Sequence, residues 1–253
     1  MRSLIMPNSV VKKNWYAFKK SFKSPRITEV NIPRLIQLKY TFVPILLIIV
    51  FLYFNIDAYV EKYVQNGFFS GYWYYLDKIT HFGLALYLLI PLGLFAIVRL
   101  FIDTDSLLES TRDRINALTA ATLFLIATVA ISGIIGQILK FMIGRARPKF
   151  FLEYGSQYFE HFHKPGYDFA SMPSGHSITV AAFYVGLIYL LPRFRVLWVF
   201  LALLIAFSRV ALGSHYPSDV IFGLAVGAYT TIFIYYWMRN RNFLKPTNTK
   251  KLS

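Results

Sequence analysis

Six uncharged, largely apolar intervals punctuate the chain: Tyr40–Ile56, Ile79–Val98, Ile115–Leu139, Phe169–Pro192, Val196–Ser208 and Val220–Met238. A helix needs about 20 residues to cross the hydrocarbon core of a bilayer, with some latitude. Five intervals reach or approach that length, and Val196–Ser208 does so only if Arg209 lies inside the helix. The pattern predicts an all-α fold, a bundle of six transmembrane helices over residues 40–238. A basic segment, 1–39, precedes it and a basic tail, 239–253, follows. Residues 9–23 interleave Trp15, Tyr16, Phe18 and Phe22 with five lysines, which suits either a helix lying on the membrane surface or a disordered basic tail. Pro25 and Pro33 break any helix before the first span.

Composition places the chain in the membrane class, with 56% hydrophobic and 18% aromatic residues among 253. Nine of the 27 basic residues precede residue 40 against one acid, Glu29, and five follow Met238 with no acid. Loops rich in Lys and Arg stay cytoplasmic, so both termini are expected inside, a parity that six spans satisfy. Arg99, Arg112, Arg114, Arg193 and Arg195 then fall inside as well. Lys140, Arg145, Arg147 and Lys149 breach the rule by facing outward, and an anionic substrate supplies a reason. The +15 charge flanks membrane spans rather than forming one soluble patch, which argues against nucleic acid as a partner and for the lipid bilayer. The absence of cysteine excludes disulfides and thiolate chemistry. Tyr40–Ile56 reads as a retained anchor rather than a cleaved signal. The outer loops 57–78 and 149–171 are dense in aromatics, as an interfacial belt would be.

Ionisable groups at membrane depth are costly and count as functional candidates. Three segments carry them. Lys140 and Arg147 stand seven apart, almost two helical turns, so both are expected on one helical face, with Pro148 ending the helix at Arg147. Taken alone, that pair could equally be snorkelling at the interface. Pro173-Ser174-Gly175-His176 opens the fourth span. Helix N-termini favour phosphate oxygens, Gly175 permits close backbone approach, and Ser174 can cap the helix or donate to an anion. Arg209 offers bidentate phosphate recognition, and Asp219 stands four residues after His215, within reach of its ring. Six spans put all of these at the same outward membrane face.

Lys140-x6-Arg147-Pro148, Pro173-Ser174-Gly175-His176 and Ser208-Arg209-x5-His215-x3-Asp219 resemble, in order and spacing, the three-part signature of the type 2 phosphatidic acid phosphatase superfamily. The resemblance implies a lipid phosphatase in a bacterial inner membrane with its site facing the periplasm. His215 would be the nucleophile, Asp219 its orienting carboxylate, and His176 the acid and then the base. Lys140, Arg147, Arg209, Ser174 and the Gly175 amide would hold phosphoryl oxygens. With three cations there, no metal or cofactor is expected. The substrate alternatives are lipid A 1-phosphate, favoured on overall resemblance, undecaprenyl diphosphate and phosphatidylglycerophosphate. Two readings from other classes are a vanadate-dependent haloperoxidase, against which six spans argue, and a non-catalytic lipid-phosphate binder or transporter. His81, His161 and His163 have no place in the signature. Gly223-x-x-x-Gly227 is expected to pack helices within the chain. The sequence gives no oligomeric state.

Overall fold

The structure, a computed structural model, describes residues 10–21, 37–162, 166 and 168–244. Most of the basic leader, the end of the tail, Pro25, Pro33 and His163 lie outside the described residues. Helix α1 (Val10–Ser21) sits at the start, with Asn14 donating to the carbonyls of Leu100 and Ile102 at 3.0 Å. The bundle follows: α2 (Leu38–Phe51), a π-helical turn at Leu52–Ile56, α3 (Asp57–Gln65), α4 (Trp73–His81), α5 (Ala85–Phe101) and α6 (Glu109–Ile143). After the short α7 (Phe151–Tyr154) come α8 (Gly175–Leu190), α9 (Arg195–Ala211) and α10 (Pro217–Asn240).

Among the described residues five helical stretches are long and apolar enough to cross a membrane: Leu38–Gln65, Ser70–Phe101, Glu109–Ile143, Pro192–Ala211 and Pro217–Asn240. Gly175–Leu190 is a shorter apolar helix that supplies the sixth member of the bundle. Arg209 lies inside α9, as the short fifth interval requires. The fourth helix starts six residues later than its uncharged interval, because 169–174 is spent on the approach to the Ser174 cap. Residues 57–65, expected as loop, continue the first helix through the π turn.

The bundle is apolar outside and partly polar inside, the arrangement a lipid solvent selects. Leu47, Phe54 and Phe233 are exposed on the spans, while Thr128, Ser132 and Thr231 are fully buried. Each of these hydroxyls donates to a backbone carbonyl, Thr231 across to Ala182 of α8 at 3.1 Å. Helix α8 is the central one, packed against α6, α9 and α10. Gly223 and Gly227 let α10 close onto it. A Cβ at Gly223 would stand 2.6 Å from the Ser174 carbonyl oxygen, and one at Gly227 2.3 Å from that of Ile178. The pair therefore packs two helices of the same chain.

The end of α6 corrects one expectation. The helix stops at Ile143 because Gly144 takes the left-handed conformation, φ 62°, four residues before Pro148. A Cβ there would also overlap the Glu160 carbonyl. Residues 145–147 then run extended. Arg145 bridges to Phe159, Ala146 N–H donates to Tyr158 at 3.1 Å, and Arg147 N–H donates to Asp168 at 3.0 Å. Lys140 and Arg147 are thus not on one helix; the strand-like strap brings Arg147 back over the bundle.

Candidate active site

The C-terminal ends of α6 and α9 and the N-terminal ends of α8 and α10 meet at one end of the bundle. Between them lies a cavity of about 460 Å³. Lys140 from α6, Arg147 from the strap and Arg209 from α9 line it, with Gly175 and His176 from α8 and His215 from the α9–α10 connection. Gln137, one turn before Lys140, lines it as well. A second cavity of about 210 Å³ adjoins it, lined in part by Gly83, Gly133, Gly136 and Ile178 and sharing Gln137, Lys140, Gly175 and His176. It lies beside the charged chamber, between α5, α6 and α8.

The three cations are 7–8% exposed and held by backbone oxygens and one hydroxyl. Lys140 Nζ donates to the Ala170 carbonyl. Arg147 donates to the carbonyls of Ser214 at 3.2 Å and Ala170 at 3.4 Å. Arg209 donates to the Thr80 hydroxyl at 2.8 Å, which ties α9 to α4. Among the described residues no carboxylate lines the cavity. A chamber lined by three cations favours a multiply charged anion such as phosphate.

His215 is 2% exposed, and its Nδ1 lies 2.8 Å from the Ser171 carbonyl oxygen. A carbonyl can only accept, so Nδ1 carries the proton and Nε2 keeps its lone pair. Burial pushes the imidazole down to about 3, with Lys140 and Arg147 acting the same way and Asp219 opposing them. The ring is therefore neutral near pH 7. Asp219 Oδ2 stands 3.8 Å from Nδ1, beyond hydrogen-bond range, so the Ser171 carbonyl takes the place of the direct bond expected of this pair. That carboxylate accepts from the Ser171 hydroxyl at 2.6 Å and from Tyr216 N–H at 3.0 Å, the latter capping α10 in the manner of a capping box. Ser171 thus grips the histidine with its carbonyl and the aspartate with its hydroxyl.

Ser174 does not line the cavity. It is fully buried as the N-cap of α8, its hydroxyl oxygen accepting from Ser177 Oγ–H at 3.0 Å and Ser177 N–H at 3.4 Å. Gly175 opens the helix at the cavity wall, where first-turn N–H groups have no intrahelical acceptor. The outward basic cluster also divides: Arg145 is fully buried in an ion network, and Lys149 pairs with Asp168. An anionic ligand therefore accounts for Lys140 and Arg147 but not for their two neighbours. His81 bonds within its own helix, to the Asp77 carbonyl at 2.6 Å, and His161 stacks on Phe159. Among the described residues no three His, Cys, Asp or Glu side chains gather as a metal site.

Sequence reasoning missed Thr80, Ser171, Asp57 and Ser218, all buried around the cations and the histidine. Serine and threonine carry no signal against an apolar background. Asp57 had one, as the charge that ends the first uncharged interval, but it read as the start of a loop.

Residues 121–243 match the PAP2 superfamily model. The lipid A 1-phosphatase of Rhizobium johnstonii is 43% identical over 129 residues, 50% of this chain and 52% of that protein. The undecaprenyl-diphosphatase of Sulfolobus acidocaldarius is 31% identical over 127 residues, 50% of this chain and 57% of that one. The chain thus spans about half the length of the curated relatives it matches. In fold it is similar to a transmembrane PAP2-type phosphatidylglycerolphosphate phosphatase from Bacillus subtilis, with a TM-score of 0.53 and 22% identity, over 78% of this chain and 95% of that one. Motifs, fold and relatives agree: this membrane protein carries a domain of the PAP2 superfamily over residues 121–243.

Proposed function

We propose that the protein is an integral membrane phosphatase that hydrolyses a lipid phosphate or diphosphate through a phosphohistidine at His215. The observation that carries this reading is His215, its Nδ1 held on the Ser171 carbonyl, at the wall of a chamber lined by Lys140, Arg147 and Arg209. In the first step Nε2 attacks phosphorus, the bond from phosphorus to the lipid oxygen breaks, and that oxygen leaves with the electron pair and takes a proton from His176. In the second step water attacks the phosphohistidine and gives a proton to neutral His176. The N–P bond breaks, its electrons return to Nε2, and inorganic phosphate departs. Lys140, Arg147, Arg209 and the Gly175 amide hold the phosphoryl oxygens, on which charge builds. Asp219 steadies the ring and its positive charge. The cations supply the neutralisation that a divalent metal gives elsewhere.

The adjoining glycine-lined cavity supports a lipid substrate, giving its chains a course toward the membrane while the head sits among the cations. The 43% identity to a lipid A 1-phosphatase favours lipid A 1-phosphate, with undecaprenyl diphosphate and phosphatidylglycerophosphate as alternatives. The basic leader and tail support a reading with cytoplasmic termini and the chamber at the periplasmic face of an inner membrane. The test is phosphate release from those three lipids and phosphatidate by purified wild type and His215→Ala. Release from one lipid that vanishes in the folded variant is expected. Equal release by the variant would remove His215 as nucleophile, and stoichiometric binding without turnover would favour a binder or transporter.

A further inference from the structure

A fully buried ion network lies behind the histidine, and its origin is the first span. Asp57, at the start of α3, is 0% exposed, as are Arg145, Ser218 and Asp219. Arg145 has five N–H donors, and each has an acceptor. Nη1 donates to Asp219 Oδ1 and to Ser218 Oγ, both at 2.7 Å. Nη2 donates to Asp57 Oδ2 at 2.8 Å and to the Ser156 carbonyl at 2.6 Å, and Nε donates to that carbonyl at 3.1 Å. Asp57 accepts in turn from Ser218 N–H at 3.0 Å and from Ser218 Oγ–H. The guanidinium also rests on the Tyr216 ring, 4.2 Å from its centroid.

We propose that Asp57 is a positioning residue for the reaction: with Ser218 it fixes Arg145, Arg145 fixes Asp219, and Asp219 fixes the turn that presents His215. The inference rests on the reading of His215 as nucleophile. Asp57 is outside the span 121–243 that matches the superfamily model, so the pairing ties a residue of the first helix to a cavity lined from α6, α8, α9 and the segments beside them. Two features favour this over a plain structural staple. A buried ion triad is a poor source of stability, because desolvation offsets its attraction and apolar packing would serve as well or better. The network also has a charge that suits the chemistry. One guanidinium between two carboxylates leaves a net single negative charge beside His215. The imidazole turns positive when Nε2 takes the phosphoryl group with Nδ1–H in place. Asp57 prevents Arg145 from cancelling Asp219, and it holds the geometry without touching the substrate cavity.

The test uses the full chain in detergent or nanodiscs, with lipid A labelled in its 1-phosphate. Phosphohistidine is trapped by alkaline quench and turnover is followed by phosphate release. Asp57→Asn keeps the size of the side chain and removes its charge. A misplacement of the nucleophile on the order of 1 Å lowers rates by ~10- to 100-fold, so kcat and the rate of phosphohistidine formation should fall together by about that factor, with KM within about twofold. Folding is followed by tryptophan fluorescence on heating. A folded Asp57→Asn protein with wild-type kcat, or one whose loss lies all in KM, overturns the proposal. If Asp57→Asn does not fold, Ser218→Ala decides, since it deletes only the hydroxyl that bridges Asp57 and Arg145. A several-fold lower kcat with unchanged KM supports the proposal, and an unchanged kcat overturns it. Wild-type turnover without label on His215 would instead sink the nucleophile assignment, and this inference with it.

Discussion

Gly227→Ala tests how closely the site depends on helix packing. The added Cβ would stand 2.3 Å from the Ile178 carbonyl oxygen, 2.8 Å from Ala181 Cβ and 2.9 Å from Ala182 N. Two of the three are backbone atoms of α8 and cannot turn aside. Ordinary contact begins at 3.4 Å, so α8 and α10 must separate by about 1.1 Å at that level. Overpacking of this kind costs about 1–3 kcal/mol, which for a chain of this size lowers Tm by roughly 2–12 °C. The catalytic consequence is sharper. His176 lies in the first turn of α8 and Asp219 in the first turn of α10, so the same separation moves the candidate acid relative to the nucleophile. A displacement of 1 Å is worth up to ~100-fold in rate. The assay is kcat and KM on the lipid most rapidly hydrolysed, beside a melting curve. Gly93→Ala on α5 is the control, because a Cβ there meets nothing within 4 Å. Helix propensity alone raises stability there by up to about 1 kcal/mol. Wild-type Tm and kcat in Gly227→Ala, or an equal loss in Gly93→Ala, would refute the argument.

Two further outcomes follow from the site. Thr80→Val removes the hydroxyl that accepts from Arg209 at 2.8 Å; a hydrogen bond to a charged group is worth about 1.5–3 kcal/mol, so kcat/KM should fall about tenfold or more, and a wild-type value would show that Thr80 does not place the guanidinium. The His215 imidazole, held down to about 3 in the fold against an ordinary 6.5, predicts a pH-dependent stability. Its contribution is present above pH 6.5 and is lost as pH falls, because the unfolded chain takes up the proton first. Between pH 7 and 5 this amounts to about 2 kcal/mol. Thermal melts of His215→Asn should therefore decline less over that range than wild type, and parallel declines would contradict the neutral buried ring.

Much of the molecule was legible in the chain because lipid permits few solutions. With no water to satisfy backbone groups, uncharged stretches of sufficient length must be helices, and six intervals gave six apolar helical members. Charge at membrane depth is equally conspicuous, which is why Lys140, Arg147, His176, Arg209 and His215 could be singled out, and all five line one cavity. Tertiary structure decided what lies between and behind them. Spacing suggested one helical face for Lys140 and Arg147, but Gly144 ends the helix early, and the loop carbonyls that catch the strap are distant in sequence. Proximity in sequence suggested a direct His215–Asp219 bond, but a backbone carbonyl, which has no residue identity, takes that place. Arg145 read as one more outward cation; only packing reveals the carboxylate 88 residues away that closes its network. Hydrophobicity and charge are local properties and are written along the chain. The partner of a buried ion is chosen by the folded bundle, since burial leaves it no solvent to turn to.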